Sequence, residues 1–142
     1  MADIRHSIQI AAPAEKVFPL AATARGFTEW WAEDVQEVGG LVELGFFERA
    51  TIYRLRLAGE NGPRKVDWIC ETGKEWAGTK IVFDLQTAGA GSVLNFAHTG
   101  WETETPYFVS CNTTWGALMF RLKAAAEGKK PGPLFLADGM GY

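Results

Sequence analysis

The stretch PYFVSCNTTWGALMFRLKAAAE, residues 106–127, carries apolar side chains at Phe108, Cys111, Trp115, Leu118, Met119, Leu122 and Ala126. Steps of three and four residues gather these on one side of a helix. Lys123, Glu127 and Lys129 face out. Pro106 suits the first turn, where its missing N–H would be unpaired anyway. Gly128, followed by Lys129-Lys130-Pro131-Gly132-Pro133, stops the helix. A long helix with one apolar face has to be covered, and the preceding sequence supplies strands.

Ile4, His6, Ile8 and Ile10 alternate with Arg5, Ser7 and Gln9, the period of a half-buried strand. Leu41–Phe47 is an apolar run entered from Gly39-Gly40, and the same alternation recurs at Thr51–Leu57, Lys65–Glu71, Thr79–Gln86 and Leu94–His98. Asn61-Gly62 and Gly89-Ala90-Gly91 mark turns between them. Consecutive strands with no helix between them form an antiparallel meander. After the first strand, Ala12-Pro13-Ala14-Glu15-Lys16-Val17-Phe18 reads as a helix start. Pro19 would remove the bond to the Glu15 carbonyl, so this helix should be short or kinked. A second short helix is expected over Thr23–Trp31. The predicted fold is α+β: a curved antiparallel sheet of six to seven strands wrapped around the C-terminal helix, with two short helices after the first strand. Residues 1–142 make one domain, with an ordered core over about 4–128 and a tail over 129–142. Leu134-Phe135-Leu136 in that tail is apolar enough to dock, and Gly139 to Tyr142 should fray. A sheet coiled round a helix leaves a space unless side chains fill it, so a cavity is expected there.

Composition narrows the function. The net charge is −3, and the basic residues form no stripe of the kind nucleic acid requires. The N-terminus lacks a secretory pattern, and no apolar run is long enough to span a membrane. Cys70 and Cys111 have neither metal-type nor redox-type spacing, which fits free thiols in a reducing cytoplasm; spacing alone leaves a disulfide open. Six tryptophans in 142 residues point to a wide, aromatic-lined interior or an adhesive surface.

Several ordered motifs resemble the START-like superfamily, also called SRPBCC. Ile8-Gln9-Ile10-Ala11-Ala12-Pro13-Ala14-Glu15-Lys16-Val17-Phe18 is similar to its opening strand and helix. Glu29-Trp30-Trp31 is similar to the end of its second helix, and Glu75-Trp76-Ala77-Gly78-Thr79 and Leu94-Asn95-Phe96-Ala97-His98-Thr99-Gly100-Trp101 to its late strands. Cys111-Asn112-Thr113-Thr114-Trp115 is similar to the start of its last helix. The set most resembles the branch of the C-terminal domain of the heat-shock-protein-90 ATPase activator. Pro19 and Thr114 depart from that pattern.

Eight residues are candidates to line a ligand cavity: Trp31, Tyr53, Trp68, Phe83, Phe96, His98, Trp115 and Met119. Each also has a structural reading as ordinary core. Trp30 and Trp31 are adjacent, so on a helix one would face inward and the other outward or to a cavity mouth. His98 shares the inward phase of Leu94 and Phe96. It could orient a ligand, act as an acid or base, or be satisfied by its neighbours. Cys111 could pair with His98 as a nucleophile, but no orienting third group is identifiable. No catalytic residue, metal site or cofactor is implied.

Three functions follow. The preferred one is binding of an apolar or amphipathic small molecule between the sheet and the last helix. The resemblance implies another, a co-chaperone-like interaction module, which would need an exposed patch around Trp30, Trp76 or Trp101. Chaperone stimulation itself is not expected of a single domain. A cyclase or hydratase using His98 is the third. Homodimerisation through exposed aromatics stays open.

Overall fold

The computed structural model describes residues 1–140. Strand β1 (Ala2–Ile10) is followed by helices α1 (Ala14–Ala22) and α2 (Ala24–Phe27). Six strands come next: β2 (Asp34–Val38), β3 (Leu41–Phe46), β4 (Thr51–Asn61), β5 (Lys65–Thr72), β6 (Lys80–Ala88) and β7 (Gly91–Trp101). Helix α3 (Pro106–Ala126) and a small hairpin, β8 (Phe135–Leu136) with β9 (Gly139–Met140), complete the described chain.

The seven long strands form one antiparallel sheet in the order β1-β7-β6-β5-β4-β3-β2. Only the β1–β7 pairing departs from a plain meander, and it places the first strand on the far edge. Register shifts interrupt the β4–β5 ladder at Arg54/Leu55 and Leu57/Gly59. Such irregularities bend and twist a strand, and they help the sheet curve round α3. This is the helix-grip architecture that the period-2 and period-3.6 patterns predict. The seven periodic apolar positions of α3 are buried, while Val109 and Phe120 on its other side are exposed. Thr105 caps it, its hydroxyl oxygen accepting the Phe108 N–H at 3.1 Å.

Edge strand β2 is not anticipated by the periodicity. Asp34-Val35-Gln36-Glu37-Val38 offers two apolar residues in five and is mostly exposed. Its pairing with β3 defines it, and its charges suit an unpaired edge.

Helix α1 runs through Pro19 for nine residues, and its C-terminal carbonyls find partners at its own C-cap and further along the chain. The Thr23 hydroxyl donates to Pro19 O at 2.8 Å. The Trp30 indole donates to Leu20 O at 2.8 Å, and the Trp68 indole to Ala21 O at 2.9 Å. Two buried tryptophans thus satisfy both their own N–H groups and the orphan carbonyls of a helix end.

Helix α2 is shorter than expected, and this changes the fate of the tryptophan pair. Trp30 and Trp31 lie beyond its end, so they need not point to opposite sides. Both are buried, their rings stacked with centroids 5.6 Å apart. The tail makes this affordable. Leu134 N–H bonds Trp30 O at 3.1 Å, and Phe135 N–H bonds Trp31 O at 2.9 Å. Where fraying is predicted from Gly139, Gly139 and Met140 instead pair with Leu136 and Phe135. Gly141 and Tyr142 lie outside the described residues. Both cysteines are free and buried.

Candidate functional site

A cavity of about 240 Å³ opens at one end of the space between sheet and helix. Its aromatic wall is Trp31, Phe46, Tyr53, Trp76 and Trp115. The N-terminal half of α3 contributes Tyr107, Ser110, Cys111, Thr114 and Leu118, and the tail hairpin contributes Phe135 and Met140. Phe47, Thr51 and Lys74 complete the rim. The volume is close to the lower end of small-molecule pockets, roughly 300–1,000 Å³.

The rings of this wall are tightly organised. Tyr53 stacks on Trp76 with centroids 3.8 Å apart and planes 4° from parallel. Trp76 stacks on Trp115 at 5.8 Å, and Trp115 meets Trp31 at 5.0 Å. Gly73, at φ +142, lies where a Cβ would overlap the Tyr53 ring. A glycine is therefore required beside the stack.

Backbone strain marks the rim. Phe47, Glu48 and Arg49 all have positive φ, at 53°, 54° and 67°. Each non-glycine residue in that region costs roughly 1–2 kcal/mol. Ionic and backbone contacts hold the turn in place. Arg49 binds Asp34 at 2.6 Å and also Glu43, and Glu48 N–H bonds Ala137 O at 2.6 Å. Arg54 beside Glu43, together with Arg49, keeps that carboxylate below its usual pKa. The result presents Phe47, 48% exposed, at the cavity mouth.

Of the eight predicted lining residues, the cavity brings together Trp31, Tyr53 and Trp115. Trp68, Phe83, Phe96, His98 and Met119 face inward but lie outside its wall, in solid core. Trp68 caps α1, and Phe83 and Phe96 pack edge to face at 5.4 Å.

His98 is fully buried and satisfied on both sides. The Thr79 hydroxyl donates to Trp76 O at 2.6 Å, so its oxygen is free to accept from His98 Nε2 at 2.8 Å. Trp115 Nε1–H donates to His98 Nδ1 at 3.1 Å. A donor on one side and an acceptor on the other select the neutral tautomer with its proton on Nε2. Burial lowers the pKa to about 3. This corrects the placement of His98 in the cavity lining and fits its other reading, a histidine satisfied by its neighbours. Both ring nitrogens are engaged by core partners, which leaves neither free for a cavity ligand or for Cys111.

Trp76 and Tyr107 are the informative residues that strand phase does not reveal. Both come from segments outside strands, and only the helical offset of four between Tyr107 and Cys111 hints at a shared cavity wall. The Tyr53 and Tyr107 hydroxyls hydrogen-bond each other. Burial raises the Cys111 pKa, partly offset by the adjacent Trp76 indole and Tyr107 hydroxyl.

No protein-family model and no curated protein matches this sequence. Solved structures do. The Aha1 dimer from Colwellia psychrerythraea is 28% identical, and the alignment covers 92% of this chain and 99% of that one with a TM-score of 0.80. The chain has the START-like, helix-grip fold of that structure. Two more distant structures share the START-like fold alone. CalU16 from Micromonospora echinospora is 15% identical, with 92% of this chain and 77% of that one covered and a TM-score of 0.69. DynU16, from the dynemicin biosynthetic locus, is 12% identical with a TM-score of 0.73; the match covers 94% of this chain and 50% of that one. The interaction reading needs correction at one point: Trp30, Trp76 and Trp101, which would have formed its patch, are all buried. Among the described residues, no helix is long and apolar enough to cross a membrane.

Proposed function

We propose that this START-like domain binds a small apolar or amphipathic molecule in the cavity between the start of β4, the N-terminal half of α3 and the tail hairpin. The carrying observation is the space of about 240 Å³ whose walls are rings and whose few polar groups cluster together. Burying apolar ligand surface supplies affinity at roughly 25 cal/mol per Å², while the polar groups orient the ligand.

Native mass spectrometry of the freshly purified protein should show a bound species that is released on denaturation. Thr114→Trp should remove that species while leaving the unfolding midpoint within about 3 °C. Thr114 is half-buried on the cavity side of α3, so a large ring there fills the space without displacing the core. Retention of the bound species at full stoichiometry in that variant would place it elsewhere.

A second reading is a protein-interaction module that pairs with its own copy, as the Aha1 dimer does. The 28% identity to that dimer supports it. Light scattering at micromolar concentrations separates the two: a dimer whose formation is indifferent to Thr114→Trp would favour pairing over ligand binding. The catalytic reading through His98 is the least supported, since its imidazole is neutral and fully engaged.

A further inference from the structure

The polar corner of the cavity has a surplus of hydrogen-bond donors. Trp76, Tyr53, Tyr107 and Cys111 bring four X–H groups together. Their oxygen acceptors are only the two tyrosine hydroxyls. If Tyr53 donates to Tyr107 and Tyr107 to Cys111, the Trp76 N–H and the Cys111 S–H are left over. Reversing the chain leaves a different pair over. Trp76, at 4% exposure, finds no oxygen or nitrogen acceptor for its Nε1–H among the described residues; only the Cys111 sulfur lies beside it, and sulfur is a weak acceptor. A buried indole N–H without a good acceptor is costly, about 1–3 kcal/mol.

Lys74 is the charge on the cavity rim, with the Glu75 carboxylate also felt at Cys111. The Lys74 ammonium lies 4.9 Å from the Tyr107 ring centroid. It forms no ion pair among the described residues. The neighbouring carboxylate, Glu75, is instead bonded to the Thr105 hydroxyl. The Cys111 thiol is held protonated by burial and by the Glu75 charge, and so remains a donor.

Resting on the binding reading above, we infer that the ligand is an amphipathic monoanion: an apolar body against Trp31, Trp115 and Phe46, ended by a carboxylate at Trp76, the tyrosine pair and Lys74. One lysine matches one negative charge, which favours a carboxylate over a dianionic phosphate. Acceptor oxygens would satisfy the surplus N–H and S–H groups, and charge-assisted bonds of this kind are the stronger ones.

Three eight-carbon probes of similar size test this by isothermal titration calorimetry: octanoate, 1-octanol and octylamine. Octanoate should bind about tenfold tighter than octanol, and octylammonium weakest. In Lys74→Gln the preference for octanoate over octanol should shrink to about threefold or less. Octanol affinity should not change, because Lys74 is exposed and carries no part of the core. Octanol binding as tightly as octanoate would overturn the anion assignment and leave the cavity reading intact. A tenfold preference that survives Lys74→Gln would overturn the role of Lys74. If none of the three binds, the cavity reading falls with it.

Discussion

His98→Ala is expected to lower the unfolding free energy by about 4 kcal/mol, the sum of a cavity left in packed core and a Trp115 N–H left without its acceptor. For a chain of this size that corresponds to a fall of roughly 8–16 °C in unfolding temperature. The imidazole joins three parts of the fold, since Thr79 immediately precedes β6, His98 lies on β7 and Trp115 on α3. His98→Gln should recover part of the loss, because an amide can accept from Trp115 and donate to Thr79. Urea unfolding measures both variants, and a loss below about 1 kcal/mol for alanine would contradict this account. The same residue sets a pH dependence. Its pKa is about 3 folded against 6.5 for the free side chain. Between those values the unfolded chain holds a proton that the folded chain does not. Stability is therefore complete above pH 6.5 and falls as the pH drops towards 3, by up to about 1.4 kcal/mol per unit. Between pH 6.5 and 5, before most carboxylates titrate, this slope should be present in the parent and absent in His98→Gln.

Gly26→Ala should cost about 3 kcal/mol, and for a different reason. A Cβ there would overlap the Pro19 carbonyl oxygen and stand 2.6 Å from Leu20 Cα and 2.9 Å from its carbonyl carbon. All three obstacles are backbone, so no side chain can rotate away. Relief requires α1 and α2 to separate, which pulls Leu20 O and Ala21 O from the Trp30 and Trp68 indoles. Thermal unfolding should shift down by roughly 6–12 °C, with a red shift of the tryptophan emission if the indoles lose their burial. An alanine variant as stable as the parent would show that the two helices can part without penalty.

The elements most legible in the sequence are those whose own periodicity decides them. The spacing from Phe108 to Ala126 has only one helical solution, and alternation identifies β4 to β7 without reference to anything else. Strand β2 is defined by its partner, not its composition, and so the pattern passes over it. The tail is similar: Phe135 becomes structured through Trp31, Phe46 and Glu33, all about a hundred residues away in sequence. The candidate site shows the limit most clearly. Strand phase tells which face a residue occupies but not how far along the sheet the cavity lies. Phe83 and Tyr53 both point inward, yet only Tyr53 reaches the open end. Trp76 lies in a turn, where no period applies, and its position emerges from its stacking on Tyr53 and Trp115.

That run of rings, Tyr53 on Trp76 on Trp115 against Trp31, has a spectroscopic consequence. Chromophores fixed a few ångströms apart absorb as coupled oscillators, and their chiral arrangement gives strong circular dichroism in the near ultraviolet. Such signals vanish when specific packing loosens, even while the backbone signal persists. The cavity wall is thus a built-in optical gauge that needs no dye: anything that enters between the rings or loosens them should alter the near-ultraviolet band before the far-ultraviolet spectrum changes.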